Sequence, residues 1–180
     1  MHLHLIMEAI IAFDIKKGIS KNGSLPWNVQ EDLHHFYNKT KCNAVIMGRT
    51  TYFSIPDSKR PLKNRLNIVL TREPNKYKEI SNSFKNVIFT NDENIYENIL
   101  LFPNKYSDMY HVLDKFFKIF FIGGNEIYKK YMPLCKTIWV TQMKEDYGCD
   151  LIFDYNLEDK FCEEKVFESE LCNIYKYSIL

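Results

Sequence analysis

The sequence has no paired cysteine spacing. Its five cysteines, Cys42, Cys135, Cys149, Cys162 and Cys172, form an odd set without C-x-x-C. Disulfide frameworks and zinc ribbons need paired spacings, so free thiols in a reducing compartment are expected, with a cytoplasmic location. The N-x-S/T matches at Asn22 and Asn38 then have no meaning as sugar acceptors. Excess charge is missing too: 24 basic against 23 acidic residues leave +1. That balance excludes a polybasic nucleic-acid tail or an acidic disordered tract as the main feature. No apolar run approaches the roughly 20 residues of a membrane span. The N-terminal stretch is broken by His2, His4 and Glu8 and lacks a basic region and cleavage site, so no signal peptide is expected. His2, His4, His34, His35 and His111 show no zinc spacing and read as surface or packing residues, so no metal is expected. Without repeats or low-complexity linkers, residues 1–180 read as one domain.

What is present is material for a packed core, 46% hydrophobic and 15% aromatic. Short apolar runs at 8–13, 44–47, 66–70, 87–89, 119–122 and 138–140 have the length and bounds of buried strands. Helical stretches are expected at 28–37, 50–55 and from Asn125 onward, and residues 173–180 make a plausible closing strand. Strands alternating with helices predict an α/β domain with a mostly parallel central sheet. The region 77–118 gives weak signals. The Asn22-Gly23 pair marks a turn of positive φ.

The segment Pro26–Phe36 carries the most information. Asn28 fits as N-cap, with Glu31 three residues later completing a capping box. At about 100° per residue, Val29, Leu33 and Phe36 fall on one apolar stripe, with Glu31 opposite and Asp32 at the stripe's edge. A carboxylate directed at an apolar face is costly unless paired. Its partner is either a cationic or protonated ligand, or a neighbouring side chain or N–H group.

Two strand–glycine–helix junctions stand out, at Met47-Gly48-Arg49-Thr50-Thr51 and Ile122-Gly123-Gly124-Asn125. Free N–H groups at a helix start suit an anion, and Arg49 with the threonine hydroxyls adds donors. Neither matches G-x-G-x-x-G or a Walker A loop. Arg72, after another buried strand, lies where α/β sheets usually bind ligands. Sequence alone does not show that these groups converge.

Taken in order, these residues resemble dihydrofolate reductase. The pattern runs through Gly18–Trp27 and Asp32, then Val45–Pro56, then Arg60–Glu73, and is completed by Ile122-Gly123-Gly124, Tyr128, Thr141 and the Asp150–Phe153 spacing. It covers nearly all of the chain from Met7 onward, with residues 1–6 as an N-terminal extension. The resemblance implies a central mostly parallel β-sheet with an antiparallel C-terminal strand, flanked by helices. It further implies NADPH-dependent hydride transfer to C6 of dihydrofolate with protonation at N5, serving one-carbon metabolism and thymidylate synthesis. Partners would be small molecules, not nucleic acid or membrane, and the chain a monomer without a fused thymidylate synthase.

Residue by residue, the resemblance implies a catalytic set of Asp32, Trp27, Thr141 and Leu25. Asp32 would bind the pterin ring N3 and 2-amino group, Thr141 would tie Asp32 down, and water near Trp27 would relay the proton. Ile10, Phe36, Ile55, Arg60, Leu62 and Arg65 would complete the substrate site, Arg65 gripping a glutamate-tail carboxylate. Leu25 and the loop of Gly18, Ile19, Ser20, Lys21, Asn22, Gly23 and Ser24 would close over the nicotinamide, flanked by Ala12, Ile122 and Tyr128. Gly48, Arg49, Thr50, Thr51, Thr71, Arg72 and Glu73 would hold the 2′-phosphate end, and Gly123, Gly124, Asn125, Glu126 and Ile127 would approach the pyrophosphate. Ser20 stands where many members have glycine, Tyr52 where tryptophan is common, and Asp154 where proline is usual. Glu126 could repel a pyrophosphate. The related pyrimidine reductase of riboflavin synthesis is disfavoured by Trp27…Asp32 and Arg65. A non-catalytic ligand-binding module is disfavoured by the presence of Asp32, Trp27 and Thr141.

Overall fold

The computed structural model describes residues 6–180. The expected extension therefore lies outside the described residues except for Ile6, as do His2 and His4. The strands are β1 (Met7–Phe13), β2 (Gly18–Ser20), β3 (Ala44–Gly48), β4 (Leu66–Leu70), β5 (Val87–Thr90), β6 (Ile119–Phe121), β7 (Thr137–Met143), β8 (Leu151–Ile152), β9 (Phe161–Glu168) and β10 (Cys172–Ile179). The helices are α1 (Gln30–Thr40), α2 (Arg49–Ser54), α3 (Lys78–Ser83), α4 (Ile95–Leu101), α5 (Pro103–Met109) and α6 (Asn125–Tyr131). Eight strands form one sheet in the order β5-β4-β3-β6-β1-β7-β10-β9, while β2 and β8 pair separately. The pairings from β5 across to β7 are parallel, and β10 runs antiparallel to both β7 and β9. None of the described helices is long and apolar enough to cross a membrane.

Continuous apolar runs make the central strands because both sheet faces are covered. Ala44 to Met47, Leu66, Ile68, Val69 and Ile119 to Phe121 are all buried. Asn67 is the exception in β4, and its amide is fully used. It accepts from the Leu62 amide at 2.9 Å and donates to the carbonyls of Leu62 at 2.9 Å and Arg65 at 3.1 Å. A polar residue inside a buried strand thereby shapes the loop that carries Leu62 and Arg65.

The antiparallel end has two strands, not one. All of β9 after Phe161 is exposed, and its sequence FCEEKVFE lacks the alternation that marks a half-buried strand. Its place at the sheet edge accounts for the charge. Strands β2 and β8, of three and two residues, are too short to carry a periodic signal. The 77–118 region holds α3, β5, α4 and α5, with Ile95 and Ile99 anchoring α4 in the core. Tyr52 is a packing residue, buried edge-on against Phe53 and Phe89. The five cysteines are free thiols, Cys135 and Cys172 buried and Cys162 exposed.

Candidate active site

Helix α1 departs from expectation in two ways. It begins at Gln30 after an extended Val29 (φ −107°, ψ 119°), and no side chain caps it, so the Asn28–Glu31 capping box does not form. Val29 is buried beside Trp27, Met143 and Cys172, and this anchorage holds the chain extended past Asn28. The buried stripe also differs. Leu33 is 39% exposed while Asp32 is only 8% exposed. Toward the sheet the helix presents Asp32, His35, Phe36, Lys39 and Thr40, spaced at i, i+3, i+4, i+7 and i+8. The aromatic surface of Trp139 explains how a polar stripe packs: His35 meets its ring edge-on at 5.5 Å and Lys39 Nζ lies 3.6 Å from its centroid. His35 is a packing residue, its pKa lowered to about 4 by burial and by Lys39.

Asp32 has no hydrogen-bond partner of its own among the described residues. Burial pushes its carboxyl above the usual range, opposed by the nearby Thr141 hydroxyl and Trp27 indole. Neither completes a hydrogen bond with it: Trp27 Nε1 and Thr141 Oγ1 are buried polar atoms without partners. Buried polar groups are nearly always satisfied, so two orphaned donors beside a buried carboxyl mark a candidate binding point. Thr141 reaches it from β7, where it pairs with Ala12 of β1. Trp27 is held by Tyr147, whose ring meets it at 5.3 Å.

Tyr147 in turn belongs to a second buried acid that sequence reasoning missed. Asp14 follows β1 fully buried and accepts from the amides of Lys16 at 2.9 Å, Gly18 at 2.8 Å and Tyr147 at 3.1 Å. Burial opposes its ionisation, but those amides together hold its carboxyl below the ordinary value. It joins the start of the Gly18–Ser24 loop to the loop under Trp27. The Asp-x-x-x-Gly spacing after a buried strand was the available signal. Beyond β2 the loop turns tightly at Lys21–Ser24, with Asn22 (φ 49°) and Gly23 (φ 77°) both left-handed as the Asn-Gly pair predicts. Asp150 Oδ2 accepts from the Asn22 amide at 2.7 Å. Ile19 is buried, Ser20 half-buried, and Leu25 is 54% exposed at the loop's end.

Beyond Asp32, the half-buried Phe36 and Ile55 and the buried Leu62 and Ile10 meet in one apolar cluster. Arg65 lies at its end, 6% exposed, over the rings of Phe36 at 5.6 Å and Tyr37 at 5.3 Å. Its Nε donates to the Lys63 carbonyl at 2.9 Å and Nη1 to Thr40 Oγ1 at 3.1 Å. Burial lowers its pKa to about 10, so it stays charged at neutral pH, and no carboxylate among the described residues pairs with it. Arg60 differs: it is engaged by Asp57 at 2.5 Å and by the Ile55 carbonyl at 2.6 Å.

The two glycine junctions converge. The Gly48 amide donates to the Gly123 carbonyl at 2.8 Å. Gly123 is left-handed (φ 114°), and a Cβ there would stand 3.2 Å from the Tyr128 hydroxyl. A Cβ on Gly124 would stand 3.3 Å from Thr51 Oγ1. The backbone is thus bare where α2 and α6 start side by side. Gly48 and Leu70 are in register, which sets Arg49 and Arg72 after the ends of neighbouring strands, with Thr71 bonded to Thr90 of β5. Neither arginine is in an ion pair among the described residues, whereas Glu73 pairs with Lys76 at 2.7 Å. A cleft of about 320 Å³ opens between the loop tip at Gly23 and Arg49, Thr50, Phe53 and Ser54 of α2. Asn125 Oδ1 is buried without a partner, Glu126 is exposed, and Ile127 and Ile122 are buried. Tyr128 links the junction to the acid: its hydroxyl donates to the Ile10 carbonyl at 2.8 Å, and burial with the Asp32 charge pushes its pKa far up.

The fold and site define a class: an α/β domain whose sheet carries a buried acid and a phosphate-suited glycine cradle, linked through Tyr128. Comparison with known proteins narrows the class. The dihydrofolate reductase family model matches residues 6–180. The dihydrofolate reductase of Aedes albopictus is 34% identical over 155 residues, covering 80% of this chain and 76% of that protein. That of Ureaplasma parvum serovar 3 is 33% identical over 165 residues, covering 88% of each. Among solved structures, dihydrofolate reductase from Enterococcus faecalis complexed with NADP(H) and RAB-propyl superposes with a TM-score of 0.68 at 25% identity, covering 97% of this chain and 96% of that one. The chain belongs to the dihydrofolate reductase family.

Proposed function

We propose that this chain reduces dihydrofolate to tetrahydrofolate with NADPH, using Asp32 as the group that holds and polarises the pterin. One observation carries the reading: a buried carboxylate flanked by two unpartnered donors, Trp27 Nε1 and Thr141 Oγ1. A pterin's amino group and ring N–H match the carboxylate, and an ordered water matches the indole N–H. Bound to Asp32, the pterin is favoured in its protonated, more electrophilic form. The indole holds the water that relays a proton toward N5, and Thr141 fixes the carboxylate and the pterin amino group. Phe36, Ile55 and Leu62 supply the slot for the aryl ring, and Arg65 grips a tail carboxylate through its planar fork.

The residues present also fit the cofactor. The bare backbone at Gly123–Gly124 allows close approach of a pyrophosphate, and Arg49 with Arg72 offers unpaired guanidiniums to a 2′-phosphate. NADPH, when bound there, supplies the hydride. Ala12, Ile122 and Tyr128 bound the nicotinamide end, and the Gly18–Ser24 loop with Leu25 closes over it and excludes water. Arg60, held by Asp57 and Ile55, shapes the slot's wall. Turnover takes place in the cytoplasm as a monomer.

The test is dihydrofolate-dependent oxidation of NADPH by the purified chain, with NADH as the poorer donor. Asp32→Asn lowers turnover by roughly 10²–10⁴-fold, as for a lost acid–base group. Unchanged turnover in that variant would sink the mechanism.

A further inference from the structure

A second cavity, of about 250 Å³, lies on the sheet face opposite Asp32. The strand registers fix the face. Thr141 pairs with Ala12 and Ile174, and side chains alternate along each strand, so Gln142, Tyr175 and Tyr177 point the other way. Phe13 joins them through its pairing with Gln142, and Glu163 through its pairing with Tyr177. The chain from Phe153 to Glu158 forms the opposite wall, with Lys17 beside it. None of the residues assigned above to pterin or cofactor lines this cavity.

Its chemistry is specific. Five aromatic rings contribute, from Phe13, Phe153, Tyr155, Tyr175 and Tyr177. Two carboxylates, Glu158 and Glu163, face a single cation, Lys17, and neither carboxylate is in an ion pair among the described residues. The Tyr177 hydroxyl donates to Glu163, and burial with both carboxylates raises its pKa well above the ordinary value. Tyr155 Oη is a buried hydroxyl without a hydrogen-bond partner. Aromatic faces and uncompensated carboxylates attract positive charge, and a tyrosine hydroxyl accepts an N–H. An anion meets repulsion there. The volume is below the roughly 300–1,000 Å³ of drug-sized sites, so the ligand is a small one.

We propose that this cavity binds a small organic ammonium cation, gripped by Glu158 and Glu163 and packed among the tyrosine rings. The proposal is independent of the reductase reading. The probe is benzylammonium, titrated into the intact protein and followed by backbone amide NMR, with benzyl alcohol and benzoate as the neutral and anionic isosteres. Saturable shifts at Tyr155, Tyr175 and Tyr177 are expected for benzylammonium, at least tenfold tighter than for either isostere. Glu158→Gln combined with Glu163→Gln weakens binding at least tenfold while leaving NADPH oxidation with dihydrofolate unchanged. Equal binding of all three probes, shifts centred on Trp27 and Asp32, or undiminished affinity in the double variant would each overturn the proposal. The isostere comparison needs no variant, so it decides the matter even if the substitutions disturb β9.

Discussion

Arg65 is a buried guanidinium held by two neutral acceptors and no carboxylate, the Lys63 carbonyl at 2.9 Å and Thr40 Oγ1 at 3.1 Å. Burying such a charge is costly unless a counter-charge arrives. If that counter-charge is the tail carboxylate of the substrate, replacing Arg65 removes charge-assisted hydrogen bonds worth about 1.5–3 kcal/mol each. Taking the fork as one unit, the loss is about 3 kcal/mol, or roughly 10²-fold. This contact lies far from the reacting atoms and is the same in ground and transition states, so the loss belongs in KM. Arg65→Met raises KM for dihydrofolate about 10²-fold with kcat within a few-fold, whereas Arg65→Lys, keeping charge but not the fork, loses about 10-fold. Steady-state assays with dihydrofolate and with dihydropteroate, which has no glutamate tail, separate the effects. Dihydropteroate kinetics stay unchanged in both variants. An equal loss on the two substrates, or a loss in kcat alone, refutes the reasoning, because Arg65 would then be shaping the slot and not gripping the tail.

Three further outcomes follow from the same geometry. Because burial raises the Asp32 pKa above its unfolded value of 3.8, the folded state binds the extra proton, and this stability is lost as pH rises through the folded pKa. Asp32→Asn therefore gains thermal stability relative to the wild type as pH rises above the unfolded value of 3.8, and a difference in melting scans that does not grow with pH from there would contradict it. Gly18→Ala drives a Cβ to 2.3 Å from Cys149 Cβ, costing about 1–3 kcal/mol in urea melts, with partial recovery expected in the Gly18→Ala, Cys149→Gly double variant. Thr141→Val removes an unpartnered buried hydroxyl, so the ligand-free protein should melt a few degrees higher while turnover falls; a lower melting temperature would show that the hydroxyl is satisfied after all.

The legible parts of the fold were those where one residue type solves one physical problem. Leu66–Leu70 is a strand by its apolar run alone, and its bounds come out as read. The edge strand β9 was not legible, because an exposed strand needs no apolar alternation and its partner β10 lies beyond it in sequence. At α1 the error came from assuming that the buried face must be apolar. Trp139, about 100 residues away, supplies the surface on which His35 and Lys39 lie, and no local pattern announces it. The same holds for the glycine junctions. Each was visible as a strand–glycine–helix turn, but the Gly48–Gly123 hydrogen bond that joins them depends on β3 and β6 being neighbours.

Burial alone does not single out Asp32, since three acids on or next to β1 and α1 are almost wholly buried: Glu8, Asp14 and Asp32. What separates them is the inventory of partners. Glu8 receives Lys118 Nζ at 2.6 Å and Trp139 Nε1 at 2.7 Å, a closed pair that uses both carboxylate oxygens. Asp14 takes three backbone amides and ties two loops together. Each is therefore accounted for by the fold itself. Asp32 receives no hydrogen bond from the described residues, and the two donors beside it are idle as well. A fold that satisfies two buried carboxylates completely has the means to satisfy a third, by a lysine or an N–H group of the kind used a few residues away. That it sets an unpaired acid beside two unpaired donors is what the proposed reading requires, in which the partner is a substrate exchanged in every turnover.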